Sequence, residues 1–272
     1  MKAKKLVFGM LLSLLIISCN KDENQTASPT NNAQEVADNA KIDTVSDDVL
    51  QIVESQANET AAGKNTGSAQ SFLSDCATVN TVQNGSTWIR TIDFGSTNCS
   101  LFNGNTVRGK IILTFTNNFS AATRTISYVF DNFYHNDRQV EGNRTVVKTI
   151  LPNNHPQATI VLDMTVTTPA GGVYHRTGQR VREFTAGYQT PYVLLDNEFS
   201  ITGNWTTTLP SGNVHTATIN TPVIVKWDCS HIVSGNITFV RTNGNAILDY
   251  GNGNCDDQAT VTINGVVYPI TL

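Results

Sequence analysis

The sequence predicts an all-β fold, an antiparallel up-and-down sheet closed as a sandwich, rolled as a barrel or laid out as a long meander. Three observations predict it. From Phe72 onward apolar and polar residues alternate with period two, the pattern of strands with one face on a core and one in water. Asn84-Gly85, Asn103-Gly104, Asn243-Gly244 and Asn264-Gly265 punctuate that alternation with the positive φ angles a type I′ hairpin needs. A hexamer also recurs as VEGNRT from Val140, ITGNWT from Ile201 and VSGNIT from Val233, with VRGKI from Val107 and RTGQRV from Arg176 as looser copies. Their glycines fall about one hairpin apart, which suits repeated pairs of strands.

The chain begins with Lys2, Lys4 and Lys5, an apolar run from Leu6 to Ile17, and then Ser18 and Cys19. Residues 1–18 read as a secretory signal peptide, too short and wrongly flanked for a spanning helix. The ending IISC resembles the bacterial lipobox, which makes Cys19 the lipidated first residue of the mature chain and the membrane its partner. NKDEN behind it resembles the export tag of Bacteroidetes lipoproteins, so the expected location is the outer membrane, lipid-anchored and exposed at the cell surface, with the periplasmic face of that membrane as the alternative.

Residues 19–45 carry Asn, Asp, Gln and Ala with few large apolar groups, which predicts an acidic disordered tether. Residues 20 to 60 hold nine acids and two lysines, whereas 61 to 272 hold thirteen of each sign, so the acidity is assigned to that tether. A neutral body offers no basic field to nucleic acid. Asp43, Thr44 and Val45 match the Asp-Thr-aliphatic triplet that Bacteroidetes glycosylate on the hydroxyl. Residues 46–57 predict one short amphipathic helix, with Ser46 as N-cap and Val49, Leu50, Ile52 and Val53 on one side. A linker over 58–71 then releases the β domain, residues 72–272.

Within that domain alternation sets Ala158, Ile160, Leu162, Met164 and Val166 on one face, and does the same for Val107, Ile111, Leu113 and Phe115. Ile126, Tyr128 and Phe130 form another such row, as do Val223, Val225, Trp227 and Cys229. Trp227 therefore reads as core rather than as part of a sugar-stacking face with Trp88 and Trp205.

DFGSTNC, ending at Cys99, matches DYGNGNC, ending at Cys255, and each cysteine has an Asp-preceded mate upstream, Cys76 and Cys229. Four cysteines in an exported chain predict disulfides, and the duplication selects Cys76 with Cys99 and Cys229 with Cys255. Asp249, Asn252, Asn254, Asp256 and Asp257 are oxygen donors of the kind calcium takes. The first copy lacks the trailing acids and neither copy has EF-hand spacing, so these residues read as turn acids and no metal or cofactor is expected.

No GxSxG, HExxH, Walker or GxGxxG motif occurs. His135, Asp137 and Glu141 form the one cluster resembling acid-base equipment, and they read as a polar hairpin turn, so no catalytic residue is expected. Taken together, SFLSDCATV, TIDFGSTNC, RGKIILTF, FDNFYHNDRQVEGNRTV and LDYGNGNCDDQATVTINGVVYPITL resemble a family of uncharacterised flavobacterial outer-membrane lipoproteins. That resemblance implies an anchored envelope protein and brings no activity with it. Three function classes follow: a non-catalytic module that binds glycan or protein or builds the envelope; a lipid or lipoprotein carrier with an apolar hollow; and a glycan hydrolase.

Overall fold

Alternation becomes sheet wherever the sequence carries it. The computed structural model describes residues 29–58, 73, 75–118, 120–190 and 193–272; residues 1–18, Cys19 and nearly all of the expected linker lie outside them. After a helix α1 (Pro29–Asn58) come β1 (Thr78–Asn84), β2 (Thr87–Asp93), the two-residue β3 (Cys99–Ser100), β4 (Thr106–Thr116), β5 (Thr123–His135), β6 (Arg138–Ile150) and β7 (Pro156–Thr167). They continue as β8 (Val173–Ala186), β9 (Glu198–Thr208), β10 (Val214–Lys226), β11 (Ile232–Val240), β12 (Ala246–Asn252), β13 (Gln258–Ile263) and β14 (Val266–Thr271). Each strand pairs antiparallel with the next, except that β3 sits off the path against β4, through Cys99 and Val107. The architecture is one long meander whose edge strands β1 and β14 do not pair with each other, so the sheet stays open.

The inward rows are the ones alternation selects. In β7, Ala158, Ile160, Leu162, Met164 and Val166 are buried while Val161 and Asp163 are exposed. Trp227 and Cys229 continue the buried row of β10, and Trp88 and Trp205 are buried as well, so the three tryptophans form no outer stacking face.

The predicted turns hold in part. Asn264-Gly265 has positive φ at both residues, as a type I′ turn requires. At β1–β2 the loop is Gly85-Ser86, because Asn84 pairs with Thr87, and only the glycine is left-handed. The β5–β6 hairpin instead turns on Asn136-Asp137, both left-handed without any glycine.

The recurring glycines have a shared structural role. Gly109, Gly142, Gly203 and Gly235 have positive φ, and a Cβ on each would collide with the carbonyl oxygen of Asn132, Asp163, Gln179 and Pro222 respectively. They let neighbouring backbones approach and the sheet bend at intervals, as glycine kinks do in curved sheets. That repeated bend turns the meander around α1.

The helix corrects two expectations. It begins at Pro29 rather than Ser46, so within the described residues the stretch expected as tether is helix. It is also no one-sided helix: every residue from Val45 to Val53 is buried, polar ones included. Its 30 residues span about 45 Å, close to the length of the 14-residue β8. Side chains of β2, β5, β6, β7, β8, β10 and β12 all reach it, so α1 is the filling of a curled sheet. Among the described residues no helix is long and apolar enough to cross a membrane.

Both cysteine pairs are bonded as the duplication selects, Cys76 to Cys99 and Cys229 to Cys255, with Cα atoms 6.0 and 5.7 Å apart.

Candidate functional site

The interior of the curled sheet is an array of charges. On β8 the inward positions are Tyr174, Arg176, Arg180 and Arg182, and strand pleating aims all of them at α1. The helix answers with acids. The Asp43 carboxylate accepts from both Arg176 and Arg180, and also from the Tyr250 hydroxyl at 2.9 Å. Glu54 pairs with Arg182 and, at 3.2 Å, with Lys148. Asp38 accepts the Tyr174 hydroxyl at 2.9 Å. Arg124 caps the helix's last turn through the Ala57 carbonyl at 2.7 Å, and Arg90 does so through Gln56.

Burial acts on each group, and the partners decide the outcome. It pushes the Glu54 carboxyl up, but Lys148 and Arg182 outweigh it and hold the group below the usual range. For Asp47 burial wins over the attraction of Arg180 and Arg182, and the carboxyl is pushed up to about 6. Burial brings Arg176 down to about 10, so it stays a cation, and lifts Tyr250 well above its ordinary value with the help of Asp43. Burial and Arg241 lower His215 to about 4, so its 3.5 Å contact with Glu35 is between a neutral ring and a carboxyl.

The sequence-selected acid-base cluster is dispersed. His135 is buried and its Nε2 lies 2.7 Å from Asp48 Oδ2. Asp137 is exposed at the hairpin and paired with Arg108, and Glu141 is exposed on the sheet's outer face. Asp43 and Val45 of the expected glycosylation triplet are buried, while Thr44, which carries the hydroxyl, is half-buried.

The calcium candidates come together only partly. Asp249, Asn252, Asn254 and Asp256 line one open hollow beside β12 and β13, without Asp257. Their carboxylates already serve the turn: Asp249 accepts from the Gly251 amide at 2.8 Å and Asp256 from the Gln258 amide at 3.0 Å. Asp257 accepts from the Gln258 side chain. The first module does the same, with Asp93 accepting from Gly95 at 2.9 Å. Among the described residues no three His, Cys, Asp or Glu side chains are grouped closely enough to hold a metal ion.

Sequence reasoning missed a different hollow, of about 170 Å³, between strands that no ladder joins. Lys41 and Thr44 of α1 line it from the inside, Asn105, His135, Asn136 and Arg138 from one side, and Ser230, His231 and Leu272 from the other. Asp48 beneath it accepts three bonds, from Asn103 at 2.8 Å, Asn105 at 2.7 Å and His135 at 2.7 Å. The second nitrogen of His135, Nδ1, has no hydrogen-bond partner although the residue is only 1% exposed. A lysine on a polar helix and a histidine in a turn gave no signal in the sequence, because only the curling of the sheet brings them together.

No family model matches the chain, and no curated protein or solved structure matches it.

Proposed function

We propose that the protein is an exported lipoprotein, anchored through Cys19 in the outer membrane and exposed at the cell surface, that acts as a non-catalytic binding or envelope-building module. Its resemblance to uncharacterised flavobacterial lipoproteins belongs to the same reading. The observation that carries the non-transporting, non-catalytic part is the filled interior. A carrier of lipid needs an apolar hollow, and here α1 occupies that space, with Asp43 and Glu54 answered by arginines, a lysine and a tyrosine of the sheet. One gap between α1 and the sheet, beside Asp47, amounts to about 10 Å³. Support against hydrolysis is the separation of His135, Asp137 and Glu141 into interior, turn and outer face.

The early start of α1 bears on anchoring. Nine residues lie between Cys19 and Pro29, a reach of at most about 35 Å for a fully extended chain. An anchored domain would thus stand close to its bilayer. Membrane fractionation of the Cys19→Ala chain tests the reading: release into the soluble fraction is expected, and retention with the membrane would overturn it.

A further inference from the structure

We propose that the hollow bounded by Lys41, Arg138 and His231 binds a phosphate- or sulfate-type oxyanion, supplied as the free ion or on the headgroup of an acidic lipid. The inference deepens the binding reading above and rests on it. It starts from a break in the pattern of the interior. Around most of α1, charge meets charge: acids of the helix lie against arginines, lysines or tyrosines of the sheet. At this hollow the order reverses. Lys41 and Arg138 have no carboxylate at ion-pair distance among the described residues, and His231 stands beside them.

Asp137 feels the charge of Arg138 but is bonded to Arg108 and Asn98. Asp48 already accepts from two asparagine amides and from His135, which occupies both of its oxygens. That bond holds the imidazole fixed through Nε2 and leaves the buried Nδ1 unmatched on a ring that lines the hollow. Thr44 and Ser230 add hydroxyl donors. Two cations and two hydroxyls around one small space are the donor set of an oxyanion site, with the rings of His135 and His231 in its wall. The volume agrees, since about 170 Å³ exceeds the roughly 30 Å³ share of one water several times over and accepts a tetrahedral anion, but not a whole lipid.

The test is a titration of the full chain in non-ionic detergent at constant ionic strength, read by NMR at the imidazoles of His135 and His231. One arm adds inorganic phosphate, the other dihexanoyl phosphatidylglycerol. Saturable shifts at both rings are expected, and the arm that saturates at the lower concentration identifies the source. Lys41→Gln combined with Arg138→Gln should weaken binding at least tenfold, while Lys110→Gln on the outer face should leave it unchanged. Ser230→Asp supplies a carboxylate in place of the anion; it should abolish the titration and raise the melting temperature of the ligand-free chain. Absence of saturable shifts in both arms, or the same response from the Lys41→Gln/Arg138→Gln or Ser230→Asp chain, would overturn the proposal. Because the readout is local to the hollow, such a failure leaves the membrane-release test of Cys19 independent.

Discussion

Tyr250, the aromatic residue of the second cysteine module, donates its hydroxyl to Asp43 of the helix across 2.9 Å. One motif therefore faces two ways. Asp249 and Gly251 shape an exposed turn toward Cys255, and the residue between them reaches the center of the charged interior. The first module has the same division, with Phe94 buried between Asp93 and Gly95, but an apolar ring there meets Phe133 instead of an acid.

Asp43→Ala tests that center. The substitution leaves Arg176 and Arg180 buried without their shared counterion, and breaking a buried pair on one side costs about 3–5 kcal/mol. Urea unfolding should show that loss, against about 0.5 kcal/mol or less for the exposed Glu141→Ala. Equal midpoints for the two variants would remove the network from the account of stability.

The strands were legible because alternation is a local signal with a simple cause, as β7 shows. The helix was legible only from Ser46, where apolar residues gather; Asn39 and Asp43 look like tether residues until their partners are known. A clue was nevertheless present in VYHRTGQRVREF. Its arginines share a parity with Tyr174 and Phe184, and charges on the core face of a strand call for a buried counterion. The excess acids of residues 20 to 60 were a candidate for that counterion. Nothing in the sequence placed Lys41 beside Arg138 and His231, since those residues are joined by the curvature of the sheet and by no local pattern.

Gly142→Ala tests the curvature. A Cβ there would meet the carbonyl oxygen of Asp163 in a backbone with φ of +112°, so both strain and collision act. A loss of about 3 kcal/mol is expected, compared with about 1 kcal/mol at Gly171, where φ is +84° but a Cβ would meet nothing. If both variants unfold at the same urea concentration, close approach of β6 and β7 is not what the glycine provides.

The double replacement Cys229→Ser with Cys255→Ser opens a loop of 26 residues, worth about 3 kcal/mol in the loop-entropy model. Peptide mapping without reductant should find this bond and Cys76–Cys99, and no linkage between modules. A melting temperature unchanged by the double replacement would show that packing alone holds the second module.

Asp47 gives the protein a pH dependence of unusual sign for an acid. Burial pushes its carboxyl up to about 6 in the folded chain, while an unfolded aspartate titrates near 3.9. Between those values the folded state keeps a proton that the unfolded state has released, so the folded state binds more protons. Stability then falls as pH rises, and the Asp47 contribution to that fall begins near pH 4, ends above about 6 and totals on the order of 2–3 kcal/mol. Glu54 acts in the opposite direction: its depressed folded value adds stability that is lost as pH falls. The two slopes overlap in the wild type, so the readable quantity is a difference. Asp47→Asn keeps the shape, removes the titration and leaves Glu54 in place. Urea unfolding of both proteins at pH 4, 5, 6 and 7 should show the variant gaining on the wild type through this window and then holding level. A difference that stays flat from pH 4 to 7 would mean that Arg180 and Arg182 compensate the buried carboxylate fully.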